Sequence, residues 1–290
     1  MLPVSCHFPF TPARQRALQE SDRELRAAFE LLTSGTDSGL RDAVHYSLFR
    51  IKDRFCMSAA WLVSQELGIA STQIGPALCA LEMVRCAIGT PHVTRPTRGS
   101  VGLSRNFIDP RLTLEAAVCL IAMASDLVLS RKHNPEMTDS ERARLAGLLG
   151  STLSPLQAYS KIHAETRLKG RREGFSAATD CPFFETAGII LDTAAASRAP
   201  EACAGERMRG FFRKLGRLSC LTAEFRPEET GNEDLAALTD SSQDLPWHQV
   251  MDLVKTLEAE ILDDSAKFGI RASTIEIVTP LTSLFETQIQ

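Results

Sequence analysis

ALCALEMVRC at residues 77–86 is an apolar stretch whose spacing predicts an α-helix. Similar stretches lie before it and after it in the chain: LRDAVHYSL at 40–48, AAWLVSQELG at 59–68, LEAAV at 114–118 and SDLVL at 125–129. The chain has two tyrosines and two tryptophans, so it contains little of the aromatic material that strands favour. The sequence therefore predicts an all-α protein.

Turn residues and capping residues set the boundaries of the predicted helices. Gly68 should end one helix, and Thr138 with Glu141 should form a capping box at the start of another. Helices are expected at about 40–67, 71–88, 113–131, 182–196, 201–221, 246–268 and 273–287. Residues 1–18 are expected to be irregular, and residues 226–244 to form an acidic, mobile loop. The predicted organisation is one domain covering residues 1–290.

Composition indicates a cytoplasmic globular protein. The 290 residues carry a formal net charge of −4, which argues against nucleic-acid binding. The first residues lack the pattern of a secretory signal peptide, and no apolar run approaches the roughly 20 residues of a membrane span. We therefore expect that this chain is not an integral membrane protein. The eight cysteines include no CxxC pair and are expected to be reduced thiols.

The order of the apolar stretches resembles the trans-isoprenyl diphosphate synthases, the family of farnesyl and geranylgeranyl diphosphate synthases. The pattern of that family reads roughly LREAMRYSL, GGKRLRP, AAEALG, AALEMIHTYSLIHDDL and FGEA, and residues 40–118 follow the same order. The resemblance covers about 40–280 and is more specific in its front half. It implies an isoprenoid synthase-type helical bundle around a central apolar cavity.

The residues that carry the chemistry of this family are replaced. In the family, aspartates hold Mg²⁺ ions around a diphosphate, and these ions neutralise the negative charge of the diphosphate leaving group. The first aspartate motif falls on His92, Val93 and Arg98, and residues 83–108 contain no Asp or Glu. In the second motif, Glu224 is the one remaining acid. Mg²⁺ is expected for the family, but its ligands are missing here, so no metal or other cofactor is predicted.

Basic residues near the lost motifs form a candidate anion site. Guanidinium groups match the geometry of phosphate and can hold it without a metal. The candidates are His92, Arg95, Arg98, Arg105 and Arg54, the last being the one cation left from GGKRLRP. Remnants of the later motifs are Gln157, Cys220 and Glu224. The alternative is that these arginines belong to a solvated loop, and no catalytic residue is assigned.

Three functions are compatible with this pattern. The favoured hypothesis is a non-catalytic partner or regulatory subunit of an active prenyl synthase, assembled as a homodimer or as a heterodimer with an intact synthase. The alternatives are a repurposed prenyltransferase or terpene synthase-like enzyme with an isoprenoid substrate, and a binding protein for a prenyl chain or prenyl diphosphate. The helices at 71–88 and 113–131 are expected to form the dimer contact.

Overall fold

The computed structural model describes residues 12–49, 54–89, 110–133, 135, 137–151, 181–196, 207–224, 247–271 and 274. These residues form α-helices and no β-strand, which confirms the predicted all-α class. The helices of this described part are α1 (Pro12–Leu32), α2 (Ser38–Phe49), α3 (Phe55–Glu66), α4 (Ser71–Gly89), α5 (Pro110–Leu129), α6 (139–151), α7 (Pro182–Ala196), α8 (Arg207–Glu224) and α9 (Trp247–Lys267).

The single helix expected at 40–67 was a wrong prediction, because the chain forms two helices there. α2 ends at Phe49 and α3 begins at Phe55, with Arg54 in a non-helical conformation (φ −110°, ψ 46°) between them. Every residue from 55 to 64 is buried, since α3 packs against α1, α4 and α7. Apolar periodicity continues across the break, so it predicts the helical content and does not reveal the interruption.

α4 is the central helix of the described bundle. It packs against α1, α2, α3, α5 and α7. Leu78, Leu81 and Met83 are each at most 1% exposed, so nearly the whole circumference of the helix is covered. The boundaries predicted at 71–88 agree with the observed Ser71–Gly89.

Helix ends were predicted well where a local signal marks them. The capping box is present, with the Thr138 N–H donating to Glu141 Oε2 (2.8 Å) and the Glu141 N–H donating to Thr138 Oγ1 (3.3 Å). Gly68 follows α3 with a positive φ of 66°, which favours glycine. The N-terminal prediction was wrong in part, because residues expected to be irregular up to 18 are helical from Pro12. Proline is well tolerated in the first turn of a helix.

Two glycines allow α7 and α8 to approach at backbone distance. A Cβ atom on Gly188 would lie 2.7 Å from the carbonyl oxygen of Met208. A Cβ atom on Gly216 would lie 2.9 Å from Cβ of Phe184. The same seam brings Asp192 to the first turn of α8, where its Oδ2 accepts a hydrogen bond from the backbone N–H of Arg209 (3.2 Å).

α5 is long and apolar enough to span a bilayer by length and composition, so the prediction that no apolar run approaches this length was wrong. It is the one such helix in the part of the chain that the structure describes. A core helix of a globular protein passes the same test. α5 packs along α2 and α4 and buries Ala116, Leu120 and Val128 completely. One side of α5 is therefore part of the apolar core of the bundle.

Candidate functional site

Four charged side chains meet where the start of α3 approaches the last turns of α4, and we call them the Arg54 cluster: Arg54, Asp22, Glu82 and Arg85. Arg54 donates from Nη1 to Glu82 Oε1 (2.8 Å) and from Nε to Asp22 Oδ1 (2.5 Å). Its Nη2 donates to the carbonyl oxygen of Leu48 (3.1 Å). The side chains of Arg54 and Glu82 are each 1% exposed. The cluster therefore joins α1, α2, α3 and α4 through one guanidinium group.

Arg85 completes the cluster from the same helix as Glu82. Its Nε donates to Glu82 Oε2 (2.9 Å), and its Nη2 donates to Glu82 Oε1. Its guanidinium carbon also lies 5.7 Å from the ring centre of Phe183 in the first turn of α7. Glu82 thus accepts hydrogen bonds from two guanidinium groups, and its charge is well compensated.

The charges of the cluster stabilise each other. Burial by itself raises the pKa of Glu82, but Arg85 and Arg54 outweigh it and hold that pKa below its ordinary value. Burial also opposes the charge on Arg54, but Glu82 and Asp22 outweigh it and raise the pKa of Arg54. The cluster contains two cations and two anions, so its formal charge is zero. It is suited to holding helices together and leaves no carboxylate unpaired for a metal.

Of the predicted anion-site residues, Arg54 alone is described with its side chain. It lies at the start of α3, and its hydrogen bonds go to Asp22, Glu82 and Leu48. An anion would have to displace one of these acceptors to bind there. The other predicted basic residues and the Gln remnant lie outside the described residues: His92, Arg95, Arg98, Arg105 and Gln157. For these residues the site stays a prediction.

The two residues predicted to be remnants of the second motif lie in the last turns of α8. Cys220 and Glu224 belong to the helix Arg207–Glu224, in which side chains are described only as far as Ser219. Their predicted role is therefore also untested. In the described chain, no group of three or more His, Cys, Asp or Glu side chains is arranged to hold a metal ion.

The described cysteines are free thiols, as the sequence predicts. Burial raises the pKa of Cys56 well above its ordinary value and also raises the pKa of Cys79. The Cys56 thiol donates to the carbonyl oxygen of Phe183 (3.7 Å), which joins α3 to α7. Nucleophilic cysteines need an accessible thiolate, so these two thiols are structural.

Glu82 and Arg85 were not among the candidate residues predicted from the sequence. One signal was present: Glu82 is the sole carboxylate in the otherwise apolar helix Ser71–Gly89, and Arg85 follows three residues later on the same side. A carboxylate inside an apolar helix is almost never buried without a partner. The third member, Arg54, is 28 residues away in sequence, so its participation is visible only in the fold.

The outer side of α5 carries an exposed apolar strip that we call the α5 face: Leu114, Val118, Ala122, Ser125 and Leu129. Leu114 is 62% exposed, Val118 60% and Leu129 52%. The intervals of three and four residues place all five on one side of the helix. Beside this face lies a cavity of about 90 Å³ between α4, α5 and α6, whose lining includes Val84, Ile121, Ser125, Val128, Ala146 and Leu149.

Three basic residues of α8, Arg209, Arg213 and Lys214, are paired within the chain. Arg209 and Arg213 both donate to Glu185 Oε1 on α7, the latter at 2.9 Å. Lys214 pairs with two carboxylates of α9, Glu260 (3.1 Å) and Asp264 (2.7 Å). This part of α8 therefore serves helix packing and is not an open basic surface.

Comparison with known proteins identifies the architecture. No protein-family model matches the chain, and no curated protein matches it. The crystal structure of a geranyltransferase from Legionella pneumophila matches with a TM-score of 0.70, over 93% of this chain and 97% of that chain. This chain has the prenyl-synthase fold. The sequences are 14% identical, so the likeness defines the fold alone.

The prenyl-synthase fold confirms the bundle that the order of apolar stretches predicted. It was recognisable because those stretches are helices that build the core of the fold, and core positions stay apolar when surface chemistry changes. Four residues of the candidate anion site, His92, Arg95, Arg98 and Arg105, follow α4 in sequence, and Glu82 and Arg85 of the Arg54 cluster lie in the last turns of α4 before them.

Proposed function

We propose that this chain is a cytoplasmic, non-catalytic protein with the prenyl-synthase fold that binds an active prenyl synthase as its partner or regulatory subunit. The proposal has two parts, the loss of the metal chemistry and the presence of a surface for a partner. The second part rests on a direct structural observation, the exposed α5 face.

The α5 face supports the partner role. Large apolar side chains scattered singly on a surface need no explanation, but Leu114, Val118 and Leu129 share one side of one helix, and each is more than half exposed. The small residues Ala122 and Ser125 lie between them, so the surface is shallow and open to close approach by another helix. A surface of this kind is typical of a protein contact.

The charges support the absence of ordinary chain extension. Ionisation of an allylic diphosphate needs metal ions held by carboxylates, and residues 83–108 contain no carboxylate. The nearest described carboxylate in sequence is Glu82, which is buried and bonded to two arginines. We expect no Mg²⁺-dependent condensation of isopentenyl diphosphate with an allylic diphosphate. Radiolabelled product that a chelator abolishes would contradict this expectation.

The partner role is tested by mixing the chain with an active prenyl diphosphate synthase at micromolar concentration. We expect light scattering to detect a complex with the mass of both chains, and we expect the amount or length of the prenyl product to change. Val118→Asp should prevent both effects, because it puts a charge in the centre of the α5 face. Leu262→Asp, at a 40% exposed leucine on α9, is the matched control and should change neither. Absence of a complex with wild-type protein would overturn the proposal.

A further inference from the structure

We propose that α8 and α9 open from the rest of the bundle as one unit at the seam with α7, and that loss of the proton from Asp192 makes this opening easier. This device is a proton-sensitive joint within the fold. It involves none of the residues of the α5 face, so it stands or fails independently of the partner role.

α8 and α9 hold together through contacts of their own. Lys214 on α8 pairs with Asp264 (2.7 Å) and Glu260 (3.1 Å) on α9. Phe211 packs edge-on against Phe268, which directly follows α9, with 6.0 Å between the ring centres. Elements joined in this way tend to open together in local unfolding. The two helices are therefore expected to behave as one unit.

This unit is attached to the bundle mainly through α7. Among the described helices, α8 packs extensively against α7 and α9, and α9 packs against α8. The end of the unit is also held by Arg271, which follows α9 and donates from Nε to Glu66 Oε2 at the end of α3 (2.8 Å). The Arg271 side chain is 77% exposed, and exposed ion pairs contribute little to stability. The seam with α7 is therefore the contact that decides whether the unit opens.

Asp192 is a carboxyl group enclosed in this seam. It is 5% exposed, and its Oδ2 accepts a hydrogen bond from the Arg209 N–H in the first turn of α8 (3.2 Å). Its Oδ1 is buried and accepts no hydrogen bond within the described part of the chain. A carboxylate with one unsolvated oxygen is costly to bury, whereas a neutral carboxyl group costs much less. The closed seam therefore favours the protonated form, and hydration on opening favours the charged form.

The charged groups that face Asp192 offset its burial only in part. Burial raises the pKa of Asp192 to about 6. The backbone N–H groups of Arg209 and Met208 and the charge of Arg144 on α6 act in the opposite direction and do not outweigh it. The stability that the proton gives to the closed seam is complete below the ordinary aspartate pKa of about 3.9 and is lost as the pH rises through 6. The joint is therefore weaker at pH 7.5 than at pH 5.

Glu185 is a second carboxylate of the seam, and it titrates in the opposite sense. Burial opposes its charge, but the side chains of Arg213 and Arg209 outweigh burial and hold the pKa of Glu185 below its ordinary value. Its contribution to stability is present above the ordinary glutamate pKa of about 4.3 and is lost in more acidic solution. Between pH 5 and pH 7.5, the pH dependence of the seam thus comes from Asp192.

α3 and α4 also pack on α7, and their charges are engaged elsewhere. Arg85 of α4 lies against the first turn of α7, roughly 13 Å along the helix axis from Asp192 at 1.5 Å per residue, and it is bonded to Glu82. Glu66 at the end of α3 is bonded to Arg271. Both carboxylates are paired with arginine, so neither competes for the proton of Asp192.

Hydrogen exchange followed by mass spectrometry tests this joint, with rates corrected for the intrinsic pH dependence of amide exchange. We expect the amides of α8 and α9 to share one level of protection, lower than that of α4, because the unit opens without global unfolding. Their protection should fall together by about tenfold from pH 5 to pH 7.5, since the carboxyl group of Asp192 has its ordinary pKa of about 3.9 once the seam is open.

Three variants assign the effect to Asp192. Asp192→Asn keeps the shape of the side chain but cannot ionise, so the protection of α8 and α9 should be equal at the two pH values. Glu185→Gln removes the other seam carboxylate and should lower protection at both pH values while keeping the tenfold ratio. Asp252→Asn, at an exposed position of α9, is the matched control and should behave as wild type.

Four results would overturn the proposal. The first is equal protection of wild-type α8 and α9 at pH 5 and pH 7.5, and the second is a pH dependence that survives in Asp192→Asn. The third is a different level of protection in α8 and in α9, which would mean that they do not open as one unit. The fourth is protection in α8 and α9 as high as in α4, which would mean that the opening is global unfolding.

Discussion

Glu82→Gln should destabilise this protein more than any exposed charge change. The Glu82 side chain is 1% exposed and accepts hydrogen bonds from Arg54 and Arg85. Glutamine has nearly the same shape but no charge, and its amide N–H₂ group faces guanidinium donors where an acceptor is required. The substitution therefore leaves Arg85 without its carboxylate and leaves Arg54 with only the half-exposed carboxylate of Asp22.

The magnitude follows from the burial of the pair. Removing one partner of a buried ion pair typically costs 3–5 kcal/mol, because the other charge stays buried without compensation. Asp22 still serves Arg54, and Arg85 is 28% exposed, so we expect the lower end, about 3 kcal/mol. For a domain of this size, 1 kcal/mol changes the midpoint of thermal unfolding by about 2 °C, so the midpoint should fall by roughly 6 °C.

Urea unfolding followed by circular dichroism measures the difference in free energy. Glu30→Gln is the matched control: Glu30 pairs with Arg41, the side chains are 62% and 41% exposed, and such pairs contribute at most about 1 kcal/mol. Because the folded pKa of Glu82 is depressed, the stability that its charge contributes is present above the ordinary glutamate pKa of about 4.3 and is lost as the pH falls below it. The two proteins should therefore converge in acid. A Glu82→Gln variant within about 1 kcal/mol of wild type at pH 7 would refute this account.

Two other substitutions test the seam between α7 and α8. Burial raises the pKa of Asp192 to about 6, so its stability contribution is greatest below the ordinary aspartate pKa and is lost as the pH rises through 6. Asp192→Asn should raise the unfolding free energy by about 2 kcal/mol at pH 7.5, with the difference vanishing near pH 4 in urea titrations. Gly188→Ala should lower it by roughly 1–3 kcal/mol, because the new Cβ would meet the carbonyl oxygen of Met208. Gly147→Ala in α6 has open space and should be neutral or stabilising.

The helices were predictable to the extent that local chemistry defines them. α4 and α7 have nearly the boundaries expected from their apolar runs, and α6 begins at its capping box. The break before α3 was not predictable in this way. At the break, Arg54 is non-helical and donates hydrogen bonds to Glu82 and Asp22, neither of which is near it in sequence. Tertiary contacts decide such a break, and periodicity within one segment does not report them.

In the candidate site too, residue types could be read from the sequence, whereas tertiary contacts could not. From the resemblance, the sequence predicts that both aspartate motifs have lost their acids, because the places of these motifs are inferred from the order of the helices, and this stays a prediction. It assigns Arg54 to an anion on the same grounds, whereas the fold gives its hydrogen bonds to protein acceptors. The α5 face was implied only as part of the predicted dimer contact. Its exposure depends on which side of α5 packs against α2 and α4, and the run of apolar residues does not specify this.

The Arg54 cluster explains how a motif cation can persist in this fold without substrate. A buried guanidinium with no counter-charge would destabilise the fold by several kcal/mol, so it must be neutralised inside the protein or by a ligand. Here Glu82 and Asp22 neutralise it inside the protein, and α1 to α4 are joined as a result. Arg54 is therefore accounted for by stability, and its match to the family pattern does not argue for catalysis. The large apolar side chains of the α5 face have no such internal explanation, because they lie in solvent in the single chain. This contrast between a satisfied interior and an unsatisfied surface is the reason to seek the function of this protein in what it binds through α5.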